Sequence, residues 1–283
     1  NDTFGNVNSS SVTFTIDATA STINFVAPTP NDAISQTSTT VKVNVSLVEE
    51  SVDEIKYNWN GTNFTMYNNS LVLMMNFNNV SGLGENSTFV VDVSKYGNNG
   101  TMGNGDEYIN MDGGKYYGAV DLDGTNDYVS LDAINLGNQF TISAWVKPDD
   151  QTNILTVIAS SDSGASTDGF KIFINTWNTK DKKLIFETGN GASSNNAETP
   201  INAISLGEWN HIVVNVNRSA GIANLFVNGI NVTSDNSIRN DFENNQAIRI
   251  GIMTDDAWDY YGLIDEVRIW NISLSADEVY QQY

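Results

Sequence analysis

The fold of this chain is decided by residues 260–271, which read YYGLIDEVRIWN. Apolar side chains recur at odd positions from Tyr261 to Ile269, and this period of two predicts a β-strand. Asp265 interrupts the apolar row. A carboxylate on a core-facing row is costly to bury unless it is paired, hydrogen-bonded or bound to a cation. We therefore take Asp265 as the strongest indication of a functional site in the sequence.

Composition excludes several classes of function. The 283 residues, 40% of them hydrophobic, can form one large β domain or two smaller ones. A net charge of -21 repels nucleic acid and anionic lipid, so we expect no nucleic-acid partner. The absence of cysteine excludes disulfides and cysteine-zinc sites, and the single histidine, His211, leaves little for histidine-based catalysis. No apolar run reaches 18 residues, so we expect no membrane span.

Twelve Asn-x-Ser/Thr motifs predict N-glycosylation of an exported protein. The alternative is that they reflect Asn-rich turns. Together with the acidity and the missing cysteines, they suit an extracellular or cell-surface protein of a prokaryote, and we expect an archaeal source. The motifs lie at Asn1, Asn8, Asn44, Asn60, Asn63, Asn68, Asn79, Asn86, Asn99, Asn217, Asn231 and Asn271.

Residues 1–69 predict a small first β module. Val12–Ile16 alternates as a strand without a hairpin partner before it, so it either closes a sandwich or inserts into another molecule. A Pro-Thr-Pro turn follows at residues 28–30, then a Val-rich strand, then a hairpin around Asn60-Gly61. This order resembles immunoglobulin-like modules of archaeal surface proteins. The stretch is short for a complete sandwich, so the resemblance implies an incomplete or shared one.

Residues 70–283 predict strands followed by one helix. Residues 116–131 read as two strands in a hairpin with an Asp123-Gly124 turn, and Ser275–Glu278 is a capping box. An all-β chain that ends in one helical turn fits a jelly-roll sandwich. The other predicted strands are 70–77, 88–93, 139–146, 154–160, 170–175, 184–188, 211–216 and 223–227.

Motifs in the same region resemble a laminin G-like, concanavalin A-like jelly roll. In order they are DVSKYGNNGT at 92–101, GAVDLDGTNDYV at 118–129, FTISAWVKP at 140–148, GEWNHIV at 207–213, LFVNG at 225–229, IRIG at 248–251 and the opening stretch. The resemblance implies two antiparallel sheets packed face to face. It also implies binding of carbohydrate or protein, in many members together with calcium.

Calcium is the cofactor that the sequence predicts. It takes six to eight oxygen ligands, which Asp265, Asp92, Asp123 and Asn126 could contribute. In related jelly rolls an aspartate on the matching strand and a glycine carbonyl bind calcium, which implies Asp265 and Gly118 here. We expect Asp92 and Asp265 to meet, because the first and last strands of a jelly roll lie near each other. The alternative is that Asp265 accepts backbone N–H bonds in a strand bend.

The sequence argues against an enzyme. The Glu-x-Asp-x-x-Glu signature of jelly-roll glucanases is absent, and adjacent carboxylates such as Asp265 and Glu266 point to opposite faces of a strand. A Ser-His-Asp triad would need His211, which is better read as a sheet residue.

Sugar binding typically uses exposed aromatic rings beside Asp and Asn side chains. The best candidate is the loop 254–260, with Trp258, Tyr260, Asp255, Asp256 and Asp259 as ligand contacts, and Trp177 is the second candidate. Trp258 could instead pack on the sandwich edge, and the three aspartates could hold a second calcium.

We therefore predict a non-catalytic extracellular adhesion or recognition module for glycan or protein. It comprises an immunoglobulin-like segment, 1–69, and a laminin G-like jelly roll, 70–283. The alternative is a structural subunit of an archaeal surface layer or filament, assembled with copies of itself through the Val12–Ile16 strand.

Overall fold

A computed structural model describes residues 21–27, 29–31, 35, 43–48, 52–59, 61–103, 109–110, 113–149 and 153–283. The predicted strand Val12–Ile16 lies outside these ranges, as do the predicted glycosylation sites Asn1, Asn8 and Asn60. Contacts divide the chain into two units between residues 53 and 54. The hairpin that was expected in the first module therefore belongs to the second unit.

The described residues contain twenty strands and one α-helix. They are β1 Thr22–Val26, β2 Asn44–Val48, β3 Glu54–Trp59, β4 Thr62–Asn68, β5 Leu71–Met75, β6 Phe89–Val90, β7 Gly100–Met102, β8 Ile109–Asn110, β9 Ala119–Asp123, β10 Val129–Leu131, β11 Gln139–Pro148, β12 Leu155–Ala159, β13 Gly169–Ile174, β14 Leu184–Gly189, β15 Ser194–Glu198, β16 Asn210–Asn217, β17 Ile222–Val227, β18 Ile230–Asn231, β19 Ile248–Ile250, β20 Tyr261–Trp270 and α1 Ala276–Gln282. None of the described helices has the length and apolar character needed to cross a membrane.

The described part of the first unit is a two-stranded antiparallel sheet. β1 pairs with β2, and Phe25 lies opposite Val45. Phe25 is 73% exposed, so this pair does not bury its apolar side chains as a sandwich core would. The immunoglobulin-like assignment of this segment therefore stays a prediction.

The second unit is a sandwich of two antiparallel sheets. Sheet I has the strand order β15-β14-β13-β12-β19-β10-β7-β6. Sheet II has the order β18-β17-β16-β11-β20-β9-β8, and β5 also pairs with β20. The apolar faces of the two sheets meet in one large core that includes Phe140, Phe170, Phe186 and Phe242. The predicted jelly-roll fold is confirmed, and the predicted strand boundaries agree within one or two residues for most strands.

β20, the strand that contains Asp265, lies at the centre of sheet II. It pairs with β11 along its length, with β9 near its start and with β5 near its end. The predicted odd row holds for Val267 and Ile269, which lie in the core. It fails at Asp265, because a bulge between Asp265 and Arg268 shifts the alternation, with Glu266 at a φ of 51°. Ile264 and Val267 face the core. Asp265 pairs with Trp145 on the opposite, outer face.

The outer face of sheet II is covered by α1 and by the β3–β4 hairpin. Ser275 and Glu278 form the predicted capping box, so the helix begins where the sequence indicates. Val279 of α1 packs with Trp270 in a second hydrophobic cluster, and Tyr67 of β4 packs against that cluster. Both the helix and the hairpin are confirmed.

One predicted hairpin is wrong. β9 and β10, the strands on either side of Asp123-Gly124, do not pair with each other. β9 belongs to sheet II and β10 to sheet I, so the connection crosses from one sheet to the other. The Asp-Gly dipeptide marks the turn correctly but does not determine which strands pair.

Candidate functional site

A polar cleft of about 590 Å³ lies at one end of sheet I. It opens where β12 ends, β13 begins and β14 ends, because the connecting segments of three neighbouring strands meet there. Every lining residue is polar or glycine. They are Ser160, Ser161, Asp162, Gly164, Ser166, Thr167, Asp168, Gly191, Gln246 and Thr254.

The loop between β12 and β13 forms most of the wall and is held from several sides. Thr167 Oγ1 donates to the carbonyls of Asp162 and Gly164, both at 2.8 Å. Gly191 N donates to Ser166 O at 2.7 Å. Gly189 admits no side chain, since a Cβ there would lie 2.2 Å from Thr167 O. The loop is therefore fixed before any ligand arrives.

A buried ion pair supports this wall from behind. Lys171 Nζ donates to Gly164 O at 2.6 Å and to Glu187 Oε1 at 2.7 Å, and the lysine side chain is only 4% exposed. Because its ammonium makes both bonds behind the wall, Lys171 stabilises the loop without lining the cleft.

Two carboxylates line the cleft. Asp162 Oδ1 accepts from Thr254 Oγ1 at 2.5 Å, and Asp168 Oδ1 accepts from Glu243 N at 2.7 Å. Among the described residues, neither Oδ2 atom has a hydrogen-bond partner. Each carboxylate thus keeps an acceptor oxygen, in a form that binds hydroxyl groups well.

The predicted ligand loop borders this cleft through Thr254, but its aspartates hold the loop in place. Asp255 accepts from Ser163 N at 3.0 Å and from Ser163 Oγ at 2.6 Å. Asp256 pairs with Arg249. The third aspartate, Asp259, accepts from Asn126 N at 2.6 Å.

The predicted aromatic contacts lie elsewhere. Tyr260 is fully buried in the core, so its assignment as a ligand contact is wrong. Trp258 is partly buried and packs on a third hydrophobic cluster that includes Met253 and Phe173. Trp177 is 69% exposed and follows β13, at the end of sheet I away from the cleft.

Asp265, predicted as the main calcium ligand, is buried under the segment 113–118. Its Oδ2 accepts from Tyr116 N at 3.1 Å and its Oδ1 from Glu266 N at 2.7 Å. Burial raises the pKa of the Asp265 carboxyl to about 7, and the negative charge of Glu266 acts in the same direction, against the lowering by these hydrogen bonds. This is the arrangement of the alternative hypothesis, a carboxylate that organises a strand bend.

The five predicted calcium ligands do not form one group. Asp92 accepts from Met74 N at 2.9 Å and from Ser94 and Asn98, a set of partners that Asp265 does not share. Asp123 N donates to Asp127, in the connection that also contains Asn126. Asp265 accepts a hydrogen bond from Tyr116, and Gly118 lies two positions after Tyr116 in the sequence. No three Asp, Glu or His side chains of the described ranges gather as a metal ion requires.

His211 makes a buried pair with Ser143. The distance from its Nε2 to Ser143 Oγ is 2.8 Å, and Nδ1 has no partner among the described residues. Burial lowers the pKa of His211 to about 3, helped by the charges of Arg268 and Lys115, so the ring is neutral. A triad would need a carboxylate on Nδ1 and an accessible hydroxyl, whereas Ser143 is 2% exposed.

Except for Thr254, which begins the predicted ligand loop, the cleft residues were not predicted from the sequence. Residues 160–169 read SSDSGASTDG, which signals only a loop. A density of hydroxyl and acidic side chains is the one signal that could have drawn attention to them. Gly191, Gln246 and Thr254 join this loop only through the strand order of sheet I.

A family model described as the concanavalin A-like lectin/glucanases superfamily, in a laminin G form, matches residues 123–280. This range is more than half of the chain and contains every residue that lines the cleft. The chain belongs to the concanavalin A-like lectin/glucanases superfamily. No curated protein matches the sequence.

Solved structures agree with this superfamily at the level of the fold. The binding domain of Paraclostridial Mosquitocidal Protein 1 is 19% identical, with a TM-score of 0.56 over 75% of this chain and 51% of that one. Domain 4 of AbnA, a GH43 extracellular arabinanase from Geobacillus stearothermophilus in complex with arabinotriose, is 21% identical, with a TM-score of 0.55 over 75% and 97%. The Botulinum Neurotoxin serotype G binding domain is 19% identical, with a TM-score of 0.53 over 75% and 50%. The chain spans about half the length of the toxin binding domains that it matches.

Proposed function

We propose that this protein is a non-catalytic glycan-binding module and that the polar cleft is its binding site. The observation that carries the proposal is the lining. Its described residues surround about 590 Å³ with hydroxyl, carboxylate, amide and glycine backbone groups, and none of them has an apolar side chain. Such a surface offers many hydrogen bonds to sugar hydroxyls. The superfamily supports the proposal, as does the arabinotriose complex of the AbnA domain.

A glycan array followed by isothermal titration calorimetry tests this function. We expect Thr254→Val to weaken binding of the glycan that the array identifies by about tenfold, because it removes a hydroxyl that orients Asp162 in the cleft wall. Trp177→Ala is the matched control, since Trp177 lies at the other end of the sheet. Loss of binding in the control with an unaffected Thr254 variant would place the site at Trp177 instead.

A structural calcium belongs to the proposal in a narrower form than the sequence predicted. Its ligands would be Asp265 and the carbonyl of Gly118, and the ion would supply a positive charge to a buried carboxylate. Burial of Asp265 supports this assignment, because a buried carboxylate is costly unless a positive charge or hydrogen bonds stabilise it. Asp92, Asp123 and Asn126 have other hydrogen-bond partners, so we leave them out of this ligand set. A chelator that leaves the melting temperature unchanged would argue for the hydrogen-bonded alternative.

Export and N-glycosylation are further parts of the proposal. Among the predicted glycosylation sites, Asn63, Asn86, Asn99, Asn231 and Asn271 are exposed. The acidic surface and the binding role fit an extracellular location. Mass spectrometry of the native protein tests N-glycosylation. We expect added glycan mass at these asparagines.

A further inference from the structure

We infer that the cleft selects uncharged glycans and rejects those that carry carboxylate or sulfate groups. The inference rests on the proposed function and names the ligand class of the same site. It starts from the two carboxylates in the lining, Asp162 and Asp168, whose Oδ1 atoms are fixed by Thr254 and by the Glu243 amide. These two hydrogen bonds orient the carboxylates before a ligand binds.

No cation lines the cleft among the described residues. The ammonium of Lys171 is close in the fold, but it bonds Gly164 O and Glu187 behind the wall. Arg239 lies in the segment between β18 and β19 and is paired with Asp241 through two hydrogen bonds. Arg249, whose Nη1 donates to Met253 O beside Thr254, is paired with Asp256. These three cations are therefore paired with protein groups, and none of them lines the cleft.

The whole molecule strengthens this local field. The chain carries 34 acidic and 13 basic residues, a net charge of -21. A cleft lined by one sign of charge concentrates the field and repels ligands of that sign, and like charges brought together at an interface oppose binding. Sugar hydroxyl groups are attracted, because a hydrogen bond to a carboxylate is stronger than one to a neutral acceptor. The same two groups thus attract neutral sugars and exclude acidic ones.

The experiment is an array that presents each neutral glycan beside its uronic-acid, sialylated or sulfated counterpart, read at low and at high salt. We expect binding to neutral members only. In calorimetry with the best neutral glycan, Asp162→Asn and Asp168→Asn should each weaken binding by about tenfold or more, because each replaces a charged acceptor by a donor amide. Asp277→Asn is the control, because it removes the same charge from α1 at a site outside the cleft.

The possible results separate the two proposals. If acidic members bind as tightly as their neutral counterparts and the cleft variants weaken them equally, the selectivity is wrong and the glycan-binding function stands. Silence of all members overturns the proposed function and this inference with it. We expect Asp162→Asn and Asp168→Asn to admit acidic glycans that the wild type rejects. If both variants still reject them, or if Asp277→Asn admits them equally, net charge and not the cleft selects the ligand.

Discussion

Asp265 is a single side chain that sets part of the pH dependence of stability. Burial raises its pKa to about 7 in the folded chain, against an ordinary value of 3.8. Between these values the folded chain holds a proton that the unfolded chain has released, so stability falls as the pH rises through this window. Asp265→Asn has no titrating group and should flatten this fall. Thermal denaturation at several pH values measures the difference between the two proteins.

The same residue separates the hydrogen-bonded account from the calcium account. A bound calcium ion holds the carboxylate ionised, so at neutral pH it would raise the melting temperature of the wild type and leave that of Asp265→Asn unchanged. Denaturation in millimolar calcium and in a chelator therefore completes the experiment. Identical pH profiles for both proteins under every condition would contradict both accounts.

At the scale of elements, the pairing of β13 with β14 supports the cleft. Lys171 and Glu187 are opposite each other in the register, and their ion pair holds the carbonyl of Gly164. Lys171→Met removes one partner of a mostly buried pair, so we expect a loss of about 3 kcal/mol of unfolding free energy, together with weaker glycan binding. Urea denaturation and calorimetry measure the two effects.

An exposed ion pair in another hairpin provides the control for this prediction. Lys56 and Glu54 of β3 form a similar contact with side chains that are largely in solvent. Solvent screens such pairs, so Lys56→Met should leave the unfolding midpoint unchanged. If Lys171→Met behaves like this control, the ion pair behind the cleft does not support the wall.

Strands could be predicted where apolar and polar side chains alternate clearly. They could not be predicted where a strand forms only because it pairs with a neighbouring strand. β11, β13 and β16 have apolar residues in a clear pattern, and the sequence indicates all three. β15 reads SNNAE, which carries no strand signal, and it forms because β14 offers an unpaired edge. The bulge at Glu266 also has no sequence signal, so the face of Asp265 could not be predicted.

At the scale of the whole molecule, the cleft is a product of strand order. Its lining comes from four segments that are up to 94 positions apart, from Ser160 to Thr254. Motifs could identify the jelly roll because each lies within one or two strands. They could not identify the cleft, because the contact between those segments depends on β12 lying between β13 and β19. The superfamily was therefore predictable from the sequence, whereas the cleft was not.

The division between residues 53 and 54 gives a prediction for the entire chain. Among the described residues, the hydrophobic clusters lie in 54–283, and none of their members precedes Tyr67. Because the second unit contains its own core, a chain that begins at Glu54 should fold alone, unfold cooperatively and keep its glycan affinity. Near-UV circular dichroism and calorimetry against the full chain measure this. A truncated chain that loses its near-UV signal would show that residues 1–53 are needed to complete the sandwich.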